Sequence, residues 1–114
     1  MKKLSISVLL GAAAITFGTM APAYAAVDGA AAEALFKKNQ CTKCHSVDKD
    51  KKGPSLKKTS AKYKGKADGQ DKVIKAMTSG AKVKFDDGSE EEHKIIDTKD
   101  PAVLKNLADW ILSQ

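Results

Sequence analysis

Cys41-Thr42-Lys43-Cys44-His45 is the run in this chain whose residue types and spacing specify a reaction. Two thiols three positions apart, with an imidazole directly after the second, form the C-x-x-C-H pattern that attaches a c-type haem. Each thiol adds across a porphyrin vinyl group to give a thioether, and His45 is delivered to the iron as its proximal ligand. The sequence has no other cysteine, so one covalent haem accounts for both thiols. C-x-x-C by itself also occurs in dithiol redox pairs and in zinc sites. A redox pair follows a strand and opens a helix, and no β-α-β pattern surrounds this one. A structural zinc needs four ligands, and only His93 and carboxylates remain beyond Cys41, Cys44 and His45.

The elements that must position this motif begin after residue 25. Residues 1–25 read as a secretory signal peptide: Lys2 and Lys3 lead, Leu4 to Phe17 is mostly apolar or small, and Ala23-Tyr24-Ala25 is an A-x-A cleavage site. The apolar run falls short of the ~20 residues of a bilayer span, so a retained anchor is the weaker reading. No later segment is apolar enough to cross a membrane. Residues 26–114 are then one exported domain, soluble in the periplasm. That location suits the motif, because c-type haem is attached outside the bacterial cytoplasm.

A domain this short has a marginal core unless something staples it. With both cysteines holding haem there is no disulfide, so the porphyrin must supply apolar volume, and the haem-free chain is expected to fold poorly. Every basic residue is lysine. Fifteen lysines and four acids lie between Lys37 and Lys84, whereas three lysines and eight acids follow from Phe85 onward. Such charge keeps a protein soluble, and it also steers a protein towards an oppositely charged partner. The lysines flank the motif on both sides, which favours redox partners with acidic docking surfaces. Nucleic acid is excluded as a partner by the lack of arginine, of any matching motif and of a cytoplasmic location.

Four helical pieces joined by polar loops are expected, with no convincing strand. Asp28 caps a first helix in which Ala32 and Phe36 share one face, as do Ala31 and Leu35. Ser46 to Pro54 is a lysine-rich loop closed by Gly53-Pro54. Leu56 to Tyr63 forms a short helix ended by Gly65. Asp68 or Gly69 opens a third helix carrying Val73, Ile74 and Met77, with Gly80 just past its end. Ala81 to Lys99 is polar, with Phe85 its one aromatic residue, and a connection that long in so small a domain is usually functional. Asp100-Pro101 starts a last helix whose stripe is Val103, Leu104, Leu107, Ala108, Trp110 and Ile111.

This arrangement resembles the class I monohaem cytochromes c over essentially all of residues 26–114. The matching residues are Leu35-Phe36 leading into the haem motif, Gly53-Pro54-Ser55-Leu56, and Leu107-Ala108-Asp109-Trp110-Ile111-Leu112 in the last helix. The resemblance implies an all-α fold of about four helices around one haem, with the first and last helices crossing so that Phe36 approaches Trp110. It implies also that the Pro54 carbonyl accepts a hydrogen bond from His45 Nδ1–H, which orients the ligand and tunes its basicity.

At the iron's sixth position the sequence departs from the family. Class I carriers supply a methionine from the loop before the last helix, and Ala81 to Lys99 contains none. Met77 falls in the helical repeat with Val73 and Ile74 and reads as core, where methionine is a common gap-filler. His93 lies in the right loop, and a neutral imidazole is a good haem ligand; a solvated histidine in a charged run is the plainer reading. His93 is the favoured distal ligand, with Met77 and an open or lysine-bound iron as alternatives. Ile95 and Ile96 are expected to pack on the ring.

Bis-histidine ligation closes both axial positions and lowers the reduction potential relative to Met/His ligation. The implied function is electron transfer by a monomeric carrier, not an enzyme, with Lys43 and Lys57 near the exposed haem edge orienting the partner. More loosely, such a carrier resembles periplasmic shuttles in extracellular iron oxidation or reduction chains. A small-molecule sensor with a labile distal histidine and a passive subunit of a larger redox complex are the competing readings.

Overall fold

The computed structural model describes residues 26–114 together with Gly18, so the expected leader otherwise lies outside the described residues. Asp28 ends the extended start by accepting a hydrogen bond from the Ala31 amide, which caps helix α1 (Gly29–Lys38). A 3-10 turn at Cys41–Lys43 follows, then helix α2 (Leu56–Tyr63), capped by the Ser55 hydroxyl, and helix α3 (Gly69–Thr78). Gly65 and Gly80 take positive φ just after α2 and α3, which stops each helix where the sequence places its glycine. Helix α4 (Pro101–Leu112) begins with proline at its first position under the Asp100 cap.

Helix α4 is the axis on which the others pack. Leu104, Leu107, Ala108 and Ile111 are buried along it, against Ala32 and Phe36 of α1, Leu56 of α2, and Val73 and Met77 of α3. Val103, expected in that stripe, stands in solvent instead. Phe36 meets Trp110 edge to face, with ring centres 5.5 Å apart. A side-chain hydrogen bond ties each other helix to α4: Asn106 Nδ2 to the Asp28 carbonyl, Ser60 Oγ to the Leu112 carbonyl, and Gln70 Nε2 to Asp109. These bonds fix the crossings that apolar contact alone leaves free to slide.

The fold is all-α as expected, and the one correction concerns the expectation of no convincing strand. Within the long polar connection from Ala81 to Lys99, Lys82–Lys84 (β1) and Glu90–Glu92 (β2) pair antiparallel, with Val83 opposite Glu91. The Phe85 amide donates to the Ser89 carbonyl, and Gly88 takes φ +85° in the connecting turn. A three-residue hairpin loop closed by a left-handed glycine is a favoured design. The Lys-Val-Lys alternation and Asp87-Gly88 carried that signal, but the strands are three residues each, too short for a convincing periodicity.

Candidate haem site

The motif is wound tightly by the backbone. Gln40 takes a left-handed φ of +59°, and the Cys44 and His45 amides both donate to the Cys41 carbonyl. That winding turns Cys41, Cys44 and His45 towards one cavity of about 640 Å³, within the range of small-molecule and cofactor sites. Phe36, Leu56, Val73, Met77, Ile96 and Ile111 form much of its apolar wall. Both thiols are free and partly buried, and burial pushes the Cys41 thiol up from its ordinary value.

The 46–54 loop folds back on the motif and holds His45. The Gly53 amide donates to the Cys44 carbonyl at 2.8 Å, and the Lys51 ammonium donates to the Thr42 carbonyl at 2.6 Å. Asp50 accepts from the Ser55 amide and pairs with Lys58, and both contacts hold its carboxyl below the ordinary value. Pro54 follows, and its carbonyl lies 2.7 Å from His45 Nδ1. A carbonyl only accepts, so Nδ1 carries a proton, and in the neutral ring Nε2 keeps its lone pair.

His93 comes to the same cavity from the far side of β2. Its amide donates to the Ala81 carbonyl and its Nδ1–H donates to the Lys94 carbonyl at 3.0 Å, again leaving Nε2 with its lone pair. The ring centres of His45 and His93 are 6.1 Å apart, with the planes tilted by 50°. The segment after His93 is pinned at two further points. The Ile96 amide donates to the Met77 carbonyl, and the Asp97 amide donates at 2.9 Å to Oδ1 of Asn39, a residue only 3 % exposed. Asn39 Nδ2 in turn donates to the Leu35 carbonyl, so one buried amide ties the end of α1 to the distal segment.

Cys41, Cys44, His45, Pro54, Met77 and His93 therefore all reach one cavity. Met77 is buried within α3 beside Val73, as a core position would be. Ile96 lines the cavity, whereas Ile95 is 53 % exposed and packs beside Gly80. Lys57 is paired with Asp48, away from the lining, while Lys43, Lys58, Lys62 and Lys94 contribute to the cavity walls. Two positioning residues escaped the sequence reading. Asn39 carries no sequence signal, because its two partners are defined only by the fold. Gly53 was legible as a turn, but its closeness to the His45 ring was not.

Free thiols, an imidazole with its Nε2 available and an apolar chamber suit a covalently attached porphyrin. The class these features define is a small single-haem electron-transfer protein. Residues 29–114 match the family model described as cytochrome c. Cytochrome c-551 of Azotobacter vinelandii is 38% identical over 71% of this chain and 94% of its own length. Among solved structures, the class 1 cytochrome MtoD from Sideroxydans lithotrophicus ES-1 superposes with a TM-score of 0.73 at 58% identity, covering 77% of this chain and 97% of that one. Cytochrome c552 of Nitrosomonas europaea does so with a TM-score of 0.55 at 32% identity, covering 71% and 96%. The chain belongs to the cytochrome c family, in its class I monohaem branch, with covalently attached haem c as its cofactor and redox proteins as its partners.

Proposed function

We propose that this protein is a periplasmic single-electron carrier with bis-histidine ligation. Cys41 and Cys44 form the thioethers, His45 is the proximal ligand oriented by Pro54, and His93 is the distal ligand. The observation that carries the reading is the pairing of the two imidazoles across one cavity. The ring centres of His45 and His93 stand 6.1 Å apart, a spacing that would let both imidazoles hold one metal ion through bonds of about 2 Å. Both rings are also held by Nδ1–H to a backbone carbonyl, which is how a ligating histidine is commonly oriented.

The haem supplies a reversible Fe(III)/Fe(II) couple; the chain's own residues decide its potential and its access. A second imidazole favours ferric iron relative to a thioether, so the potential lies below that of Met/His carriers of the same fold. With His45 and His93 both holding the iron, no position would be open to a substrate, so the role is outer-sphere transfer rather than enzymatic. The lysines on the cavity walls orient an acidic partner. Residues 1–25 are a leader removed on export, residues 26–114 act as a monomer, and no helix among the described residues is long and apolar enough to cross a membrane. An extracellular iron oxidation or reduction chain is the setting that suits such a shuttle.

Near-infrared magnetic circular dichroism of the ferric holoprotein tests the ligation. A charge-transfer band at His/His energy supports it, and a His/Met band moves the ligand to Met77. A second reading, a small-molecule sensor whose His93 dissociates on reduction, draws on the exposure of the ribbon that precedes His93. Fast stoichiometric carbon monoxide binding to the ferrous protein favours the sensor, and refusal favours the carrier.

A further inference from the structure

Lys52 joins the two sides of the haem cavity. It sits in the 46–54 loop that holds His45, and its ammonium lies 2.9 Å from Glu91 Oε1 on β2. The same ammonium stands 5.1 Å from the centre of the Phe85 ring, at the end of β1. Among the described residues, no other hydrogen bond or ion pair connects the ribbon to that loop. The ribbon needs such support. A two-stranded hairpin alone is marginally stable in water, and this one has three residues per strand with only Val83 half-buried among them. At its base it is held by the His93 amide on the Ala81 carbonyl and by the anchors at Ile96 and Asp97. Lys52 supplies the tie beyond that base.

We infer that Lys52 is a positioning residue for the distal ligand: by holding Glu91 and Phe85 against the proximal loop, it keeps the ribbon closed and His93 over the iron. The inference rests on His93 being that ligand. A clamp joining the proximal and distal sides limits ligand excursion as the iron changes oxidation state, as fast outer-sphere transfer requires. An exposed ion pair and a cation–π contact of this kind are individually weak, so their loss should raise the open population roughly three- to ten-fold rather than unfold the protein. Glu91 also holds the Lys52 ammonium above its ordinary pKa.

The experiment uses the ferric holoprotein and potassium cyanide, at concentrations where the binding rate saturates at the rate of distal-ligand release. Lys52→Met and Glu91→Gln should each raise that limiting rate roughly three- to ten-fold at low salt. The double variant should be no faster than Lys52→Met alone, and Lys52→Arg should keep the parent rate. A His/His magnetic circular dichroism band in the parent, with no change of rate in Lys52→Met, overturns the clamp and leaves the ligation intact. Absence of that band in the parent overturns the ligation, and the role of Lys52 falls with it.

Discussion

Gly53 lies against the edge of the His45 ring so closely that a Cβ on it would sit 2.5 Å from Cε1 and 2.9 Å from Nδ1. The Cys44 carbonyl would be 3.1 Å away on another side, so the added atom has no room to turn aside. Glycine at this position is what lets the loop pass behind the imidazole while the next residue, Pro54, offers its carbonyl to Nδ1.

Gly53→Ala is therefore expected to destabilise the holoprotein by about 1–3 kcal/mol through overpacking. It should also disturb the proximal hydrogen bond, which a merely structural substitution elsewhere would not. Denaturant unfolding measures the first effect, and a shift in the reduction potential at constant pH measures the second.

On the proposed bis-histidine ligation, His93→Ala is expected to open the sixth position. The ferric protein should gain high-spin character, and the ferrous protein should bind carbon monoxide rapidly and stoichiometrically. His93→Met should raise the reduction potential relative to the parent if the thioether reaches the iron. Potentiometric titration of the three proteins checks the order.

Asn39→Ala leaves the Asp97 amide without its acceptor in a part-buried position. An unsatisfied buried donor costs about 1–3 kcal/mol. Because Asp97 lies four residues after His93, a faster release of the distal ligand should accompany the lost stability. Stopped-flow cyanide binding and thermal melting of the same samples report both.

Phe36→Ala removes the ring that meets Trp110 where α1 crosses α4. Truncating a buried phenylalanine costs about 3–5 kcal/mol. A double-mutant cycle with Trp110→Leu should return a coupling of about 0.5–1.5 kcal/mol for the edge-to-face contact. Equilibrium unfolding of the four proteins gives the cycle.

The Asp50 carboxyl is held below its ordinary value of 3.8 by the Lys58 side chain first and the Ser55 amide second. A depressed folded-state pKa contributes stability above the unfolded value and loses it as pH falls through the folded one. The melting-temperature difference between the parent and Asp50→Asn should therefore be constant near neutrality and close as pH falls below 3.8. Calorimetry of both proteins across that range tests the sign.

The signals in the sequence are legible wherever the physics is local. Asp28 and Asp100 cap their helices, Gly65 and Gly80 end theirs, and the Ala32–Phe36 and Val73–Met77 faces are buried. Helix caps, left-handed turns and a 3.6-residue period depend on neighbours a few positions away, so the chain declares them. The ribbon was missed because two three-residue strands carry too little alternation to compete with the surrounding charge. Val103 was misassigned because an apolar stripe wider than the contact face leaves one member in water.

By itself the sequence determined the cofactor chemistry, since two thiols and an imidazole at C-x-x-C-H spacing form one short winding of backbone whatever surrounds it. It determined the four helices as well, and it narrowed the distal position by containing no methionine between Ala81 and Lys99. Only the tertiary structure decided that the His93 ring stands 6.1 Å from that of His45, that Asn39 reaches Asp97, that Gly53 must clear the His45 ring and that Lys52 reaches Glu91. Those contacts join residues 8 to 58 positions apart. Their geometry is set by how α1, α2 and α3 pack on α4, and no local propensity encodes a distance of that kind.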